Sequence, residues 1–503
     1  MPKAYERYRE HMAEIRALNS AQGLLSWDQE TYMPVDGLAS RAEARALLSG
    51  LVHDRTVSVE LGDLLAELAA SELDEARAAN IRETTRDRDR AVKVPRELVT
   101  ELARVTTLAQ QAWARAREND DWALFSPLLA EVLELRRRQA EALGYANEPY
   151  DALLDEFEPG ADTSEVAAIF ADLRAQLKPL VTAIGETGPH DDALSRRRFP
   201  EPAQIALSHR VLIAMGFDFK AGRLDRSTHP FTTGVGARDV RLTTHYDERD
   251  LAKSLYSTIH EGGHGLYEQG LSMEEAGLPL GEAVSLGMHE SQSRLWENQI
   301  GRSLEFVTWL MPQLHGFFPG ALDDLGPGDF YRAVNIVRPT PIRIEADEVT
   351  YNLHIILRME LERALLRGDI GIDDLPGQWN ERMTEDLGVT PRNDAEGVLQ
   401  DIHWSFGLFG YFPTYALGNI YAAQLFASAS AELSDLDGKI ERGELLPLQH
   451  WLRDKIHVHG RRHTAGELCR LATGRTLDSR PFVDYLRHKF GALYNLATGD
   501  IRA

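Results

Sequence analysis

The sequence predicts a mainly helical, two-lobed chain with one small antiparallel sheet. Three observations carry this. Charged, Ala/Leu-rich stretches with apolar residues at helical spacing fill the first 150 residues and resume after residue 250. Period-two alternation is confined to one place, where Val240, Leu242 and Thr244 alternate with Arg241, Thr243 and His245. A polar segment with prolines at 186–202 reads as a loop between lobes. The expected organisation is a single unit over 1–503, with a helical lobe at 1–190, a second lobe at 200–503 and the sheet at 228–246.

Taken in order, Val59 to Ala79 and Pro95 to Glu118 are periodic helices. The run Arg82 to Arg90 alternates charge, the pattern of a solvated helix face. Gly144, Pro149 and Pro159-Gly160 end helical runs, and residues 163–187 form another helix. Gly234 and Gly236 are expected to turn a hairpin between Thr228–Thr233 and the alternating strand. Such a sheet edge can hold an extended peptide by strand addition.

Composition excludes several classes. Hydrophobic residues make up 43% and charged residues 26%, an ordinary globular balance able to fill a large core. The net charge of −23 argues against nucleic-acid binding, which needs Lys and Arg clusters. Cys469 is the only cysteine, so no internal disulfide forms, and its expected role is a small buried hydrophobe. The N-terminus lacks an apolar signal core, and no uncharged apolar run approaches the ~20 residues of a membrane span. A cytoplasmic protein without membrane contact is expected.

Residues 260–264 read His-Glu-Gly-Gly-His. On a helix, positions four apart share a face, so His260 and His264 can hold one metal ion between them. Glu261 stands beside that face as a general base toward water, which points to metal-assisted hydrolysis. The helical context is present: Leu251, Leu255, Ile259 and Leu266 form an apolar stripe, and Ala252, Tyr256, His260 and His264 form a second stripe beside it. Gly262 and Gly263 each cost about 1 kcal/mol in a helix interior. Close packing against a neighbouring helix is the favoured explanation, and access of substrate to the metal is the other.

A catalytic zinc site takes three protein ligands and leaves one position open. Gly270 occupies the place where a third histidine would extend the motif, so a Glu from a second helix is expected. Glu268 lies about 12 Å along the helix axis from His260 and is a poor ligand. A turn near Gly277 and Pro279 brings back a helix expected from Gly281 to Ile300. On it Glu290 is the ligand choice, Glu297 competes on geometry, and Glu282 sits at the helix start.

Beyond these residues stand His229-Pro230-Phe231, Asp239-Val240-Arg241-Leu242-Thr243, His289-Glu290-Ser291-Gln292, Ile342-Arg343-Ile344-Glu345-Ala346-Asp347-Glu348, and Gly397-Val398-Leu399-Gln400-Asp401-Ile402-His403-Trp404. In kind and order they resemble the thermostable-type metallocarboxypeptidases, the carboxypeptidase Taq family, which is family thirty-two of the metallopeptidases. The resemblance covers nearly the whole chain. It implies His260, His264 and Glu290 as ligands and Glu261 as base, which removes the ambiguity with Glu297. It implies one divalent ion per chain, zinc by default with cobalt possible, together with a deep groove, a homodimer and release of single C-terminal residues of broad specificity from peptides. It also implies that Arg343 binds the substrate carboxylate, through the bidentate geometry Arg offers, and that Arg241 closes off the groove. His403, Tyr411 and Tyr415 are candidate oxyanion donors, the tyrosines in a segment, Gly410-Tyr-Phe-Pro-Thr-Tyr, expected to be non-helical, and the resemblance raises His403 and Tyr411. His229 and His289 are either orienting partners of the ligands or structural histidines. Two alternatives remain open: an oligopeptidase or aminopeptidase with the same zinc helix, and a non-catalytic helical scaffold.

Overall fold

The protein is described here by a computed structural model over residues 3–188 and 193–497. Among the described residues, α-helices follow one another from Lys3–Thr31 to Arg480–Leu493, interrupted by three short strands between Met215 and Leu251. Helix starts follow local chemistry. Ser58, Asp162 and Asp250 each accept hydrogen bonds from backbone N–H groups of the turn they open, satisfying donors that have no partner within the helix. No described helix is long and apolar enough to cross a membrane.

The chain forms two compact units, each assembled from three stretches. The first comprises residues 3–92, 193–334 and 421–476; the second comprises 93–188, 335–420 and 477–497. Residues 3–92, expected with the N-terminal lobe, thus pack in the unit that holds His260. Long-range contacts decide this. Ala4, Tyr5, Tyr8, Leu61, Leu65 and Ile81 share a core with Leu278. The Asn80 side chain accepts from Leu280 N–H at 3.0 Å and donates to Glu275 Oε2 at 2.9 Å, and Arg16 Nη1 donates to the Ala276 carbonyl at 2.9 Å. The second unit has its own core, in which Leu129, Leu153, Leu173, Leu353, Leu357 and Trp379 are buried.

The sheet lies in the first unit. Strands β1 (Gly222–Arg226), β2 (Thr232–Gly236) and β3 (Asp239–Thr244) stand in the order β1-β3-β2. The β2–β3 pair is the expected antiparallel hairpin, with Thr232 opposite Leu242. The sheet as a whole is mixed, because β1 runs parallel to β3 with Gly222 opposite Val240. Gly-Arg-Leu-Asp-Arg carries a single apolar residue, so β1 gives no alternation signal and pairing with β3 defines it. The hairpin turn falls at Ala237-Arg238; Gly234 and Gly236 lie within β2, at a register irregularity.

Beside the sheet, Val240 and Leu242 are buried, and Leu242 lies against Gly265 of the histidine helix, Leu251–Gly270. The next helix starts later than expected. Pro279–Gly281 makes one 3₁₀ turn, and Ser285 caps a helix at Leu286–Arg294 by accepting the Met288 N–H at 3.0 Å. It continues as a π-helical turn over Leu295–Gly301.

Candidate metal centre

The apolar stripe of the histidine helix is buried: Leu251, Leu255, Ile259 and Leu266 are each about 1% exposed. Burying that stripe turns the neighbouring face, with His260 and His264, toward the helix Leu286–Arg294. The two helices approach closely because of Gly263. A Cβ there would stand 2.5 Å from Ser293 Cα and 2.7 Å from the Gln292 carbonyl oxygen, both backbone atoms that cannot swing away. Gly262 faces a different neighbour, where a Cβ would meet Leu212 at 2.6 Å. Both glycines therefore serve helix packing.

Glu290 Oε2 lies 3.8 Å from His260 Nε2 and 3.5 Å from His264 Nε2. Ligand atoms of the three residues all fall within 4.8 Å of one another. Corners of a tetrahedron around an ion with bonds of about 2.1 Å are roughly 3.4 Å apart, so two nitrogens and one oxygen at this spacing fit a divalent cation with a position left open. No other such cluster occurs among the described residues.

The remaining atoms of these side chains are held by neighbours. His260 Nδ1–H donates to Glu297 Oε2 at 2.9 Å, which turns Nε2 toward Glu290. Glu297 is therefore the orienting partner of a histidine in this arrangement, and the π-helical turn that bears it is the kind of local distortion often found at functional sites. His264 Nδ1 lies 2.5 Å from His289 Nδ1, and His289 Nε2 lies 2.9 Å from Glu268 Oε1, a chain that leaves His264 Nε2 facing Glu290. His229, by contrast, is exposed, and its carbonyl accepts from Ser227. Arg294 Nε donates to Glu290 Oε1 at 2.6 Å. Burial by itself raises the Glu290 carboxyl, but Arg294 and His260 outweigh it and hold the group below the usual carboxylate range. For Glu297 burial is likewise overcome, by the His260 hydrogen bond and Arg294, and the carboxyl falls to about 2. Burial, with His289 alongside, pushes the His264 imidazole down to about 3 and keeps it neutral, as a metal ligand requires.

Glu261 is buried beside the candidate ligands, and Thr232 Oγ1 of β2 donates to its Oε2 at 2.6 Å. Burial raises its carboxyl above the usual value, against the opposing pull of His260 and the Thr232 hydrogen bond. Thr232 carries no signal in the sequence, since strand and helix meet here across 29 positions. Arg294 was more accessible to reasoning: it stands four residues after Glu290 and three before Glu297, a salt-bridge spacing on a helix. Arg241, in the same unit, pairs with Asp239 at 2.8 Å and lies over the Trp27 ring at 4.2 Å.

The other expected residues belong to the second unit. Asp401 accepts from Arg343 Nε at 2.9 Å and from Arg358 Nε at 2.6 Å, and all three side chains are buried. Two guanidinium groups sharing one carboxylate leave one positive charge in excess among these three. Arg343 also packs over the Tyr415 ring at 5.1 Å. His403 Nε2 lies 3.2 Å from Tyr415 Oη, and the His403 and Tyr411 rings are 5.4 Å apart. Burial pushes His403 down to about 3, so its ring is neutral. Tyr415 lies in the first turn of the helix Pro413–Glu432, and Tyr411 just precedes that helix.

Two substitutions test this arrangement. Glu297→Gln weakens the orientation of His260 and is expected to lower metal affinity about 10- to 100-fold, read by chelator competition. Gly263→Ala is expected to separate the two helices, lowering both the thermal midpoint and metal affinity; unchanged affinity would show that the close approach does not set the centre.

Comparison with known proteins agrees with the geometry. The family described as carboxypeptidase Taq (M32) metallopeptidase matches residues 7–490. Thermostable carboxypeptidase 1 of Thermus thermophilus is 44% identical, with 98% of this chain and 99% of that protein covered. Carboxypeptidase 1 of Bacillus subtilis is 38% identical over 96% of this chain and 97% of its own. The crystal structure of an M32 carboxypeptidase from Deinococcus radiodurans matches with a TM-score of 0.96 and 39% identity, over 98% of this chain and 99% of that one. With a two-histidine, one-glutamate cluster in its first unit, the chain belongs to the carboxypeptidase Taq (M32) metallopeptidase family and is a metallocarboxypeptidase.

Proposed function

We propose that the chain releases single C-terminal amino acids of broad identity from peptides, using His260, His264 and Glu290 as metal ligands and Glu261 as general base. The observation that carries this reading is the convergence of the three ligand atoms within 4.8 Å, with the Glu261 carboxyl buried beside them. A divalent ion in this set, zinc by default and cobalt as the alternative, supplies a Lewis acid and lowers the pKa of water toward ~7.

The chain's own residues do the rest. Thr232 fixes the Glu261 carboxyl in one rotamer, and its raised basicity suits proton abstraction. Glu261 takes a proton from the attacking water as the new C–O bond forms. It then delivers that proton to the leaving amine as the C–N bond breaks. β2 is an outer strand of the sheet and carries Thr232, so a peptide extended along it would present a carbonyl beside Glu261. Arg343 receives the terminal carboxylate; the excess positive charge of the Arg343–Asp401–Arg358 group supports this role. Arg241, stacked on Trp27, limits the reach of the substrate. His403 and Tyr411 donate to the developing oxyanion. The same proposal includes a homodimer, which the family resemblance supports, in the cytoplasm, a reducing compartment that the lone Cys469 suits.

A peptide with an amidated C-terminus separates this reading from an oligopeptidase or aminopeptidase. Mass spectrometry should show stepwise loss of C-terminal residues from the free acid, abolished by chelator, and little loss from the amide. Equal cleavage of the two would exclude the carboxypeptidase assignment of the site. Glu261→Gln should retain the metal while kcat falls by about 10²- to 10⁴-fold.

A further inference from the structure

Helix Tyr351–Arg367 carries two fully buried charged residues one turn apart, Arg358 and Glu362. They grip opposite ends of the same irregular segment. At one end Arg358 bonds Asp401 Oδ2 at 2.6 Å and Gln400 Oε1 at 2.8 Å. At the other end Glu362 Oε1 accepts from the Trp404 indole N–H at 2.8 Å, and its Oε2 accepts from the Gly410 N–H at 3.1 Å and from Tyr150 Oη–H at 2.8 Å. Between and beside these anchors lie His403 and Tyr411. The backbone at Gly410 is pressed onto another helix, Pro149–Phe157: its φ is +88°, and a Cβ would stand 2.7 Å from Leu153 C and Leu154 N. That helix contributes Tyr150 and also Phe157, whose ring lies 5.1 Å from Tyr411.

A carboxylate is an expensive group to bury; Glu362 has neutral hydrogen-bond donors as its direct partners, with the Arg358 charge one turn away, and its burial there holds those donors in place. Burial pushes the Glu362 carboxyl up to about 7, although Gly410, Trp404 and Tyr150 all pull it down. Its position, one turn from Arg358, lets a single rigid helix fix both ends of residues 400–411.

We propose that Glu362 is a positioning residue for the peptidase reaction, holding the Trp404–Gly410 segment so that His403 and Tyr411 meet the substrate in a fixed geometry. This rests on the reading of His403 and Tyr411 as substrate-contacting groups. Glu362 does not itself touch substrate.

Glu362→Gln is the direct test in the full-length, metal-loaded enzyme. The amide offers one acceptor oxygen and places an NH₂ donor against one of the three donors. Expected are a loss of amide-exchange protection in peptides spanning 403–411, unchanged protection across 251–270, unchanged metal content, and a fall in kcat on the order of 10- to 100-fold with a smaller change in KM. Tyr150→Phe, which removes one hydroxyl and keeps the ring, should give the same pattern at about threefold and serves if the Gln variant does not fold. His403→Ala and Tyr411→Phe run alongside. If these two cut kcat while both Glu362→Gln and Tyr150→Phe leave kinetics and exchange unchanged, Glu362 has no positioning role. If His403→Ala and Tyr411→Phe are themselves silent, the substrate-contact reading falls, and the proposal with it.

Discussion

The candidate metal centre depends on two helices touching through bare backbone. At Gly263 the histidine helix meets the peptide units of Gln292 and Ser293 at a separation that no side chain tolerates. This contact sets the distance from which Glu290 reaches His260 and His264. Glycines in mid-helix weaken the helix locally by about 1 kcal/mol each. The burial of Leu255, Ile259 and Leu266 along the same helix, each worth roughly 1.5–3 kcal/mol, more than offsets that loss. The sheet backs the arrangement, with Leu242 seated at Gly265 and Thr232 reaching Glu261.

Close approach brings an electrostatic difficulty, since it gathers Glu261, Glu290 and Glu297 around two imidazoles. Neighbouring cations resolve it selectively. Arg294 pairs with Glu290 and Glu297, and Arg302 adds a contact to Glu297, so these two carboxyls stay ionised despite burial. Glu261 accepts its hydrogen bond from a neutral hydroxyl, that of Thr232, and burial shifts its carboxyl the other way. One cluster therefore holds two carboxyls shifted down and one shifted up, a division that suits the proposed roles of Glu290, Glu297 and Glu261.

The second unit uses the same physics for a different end. Two of its fully buried charges sit on one helix and are satisfied by one neighbouring segment: Arg358 by Asp401 and Gln400, Glu362 by Trp404 and Gly410. Irregular backbone cannot satisfy itself as a helix does, so buried side chains with two or more acceptors or donors become its scaffold.

The sequence by itself determined the reaction class, the helical architecture and the His260–His264 pair of the candidate cluster, because these are local, while Glu290 was separated from Glu297 there only by the family resemblance. The spacing of His260 and His264, the stripe from Leu251 to Leu266 and the alternation around Val240 are each written within a few turns of chain. Tertiary structure alone decided what depends on contacts across long separations. It made β1 a strand by pairing it with β3, joined residues 3–92 to the metal-bearing unit, turned Glu297 toward His260, and brought Thr232 onto Glu261. It also decided why Gly262 and Gly263 are adjacent: one clears a side chain and the other a backbone, toward different neighbours of the same helix. Periodicity reports which face of an element is apolar, but not which neighbour it meets or at what distance, and the chemistry of this centre is set by distance.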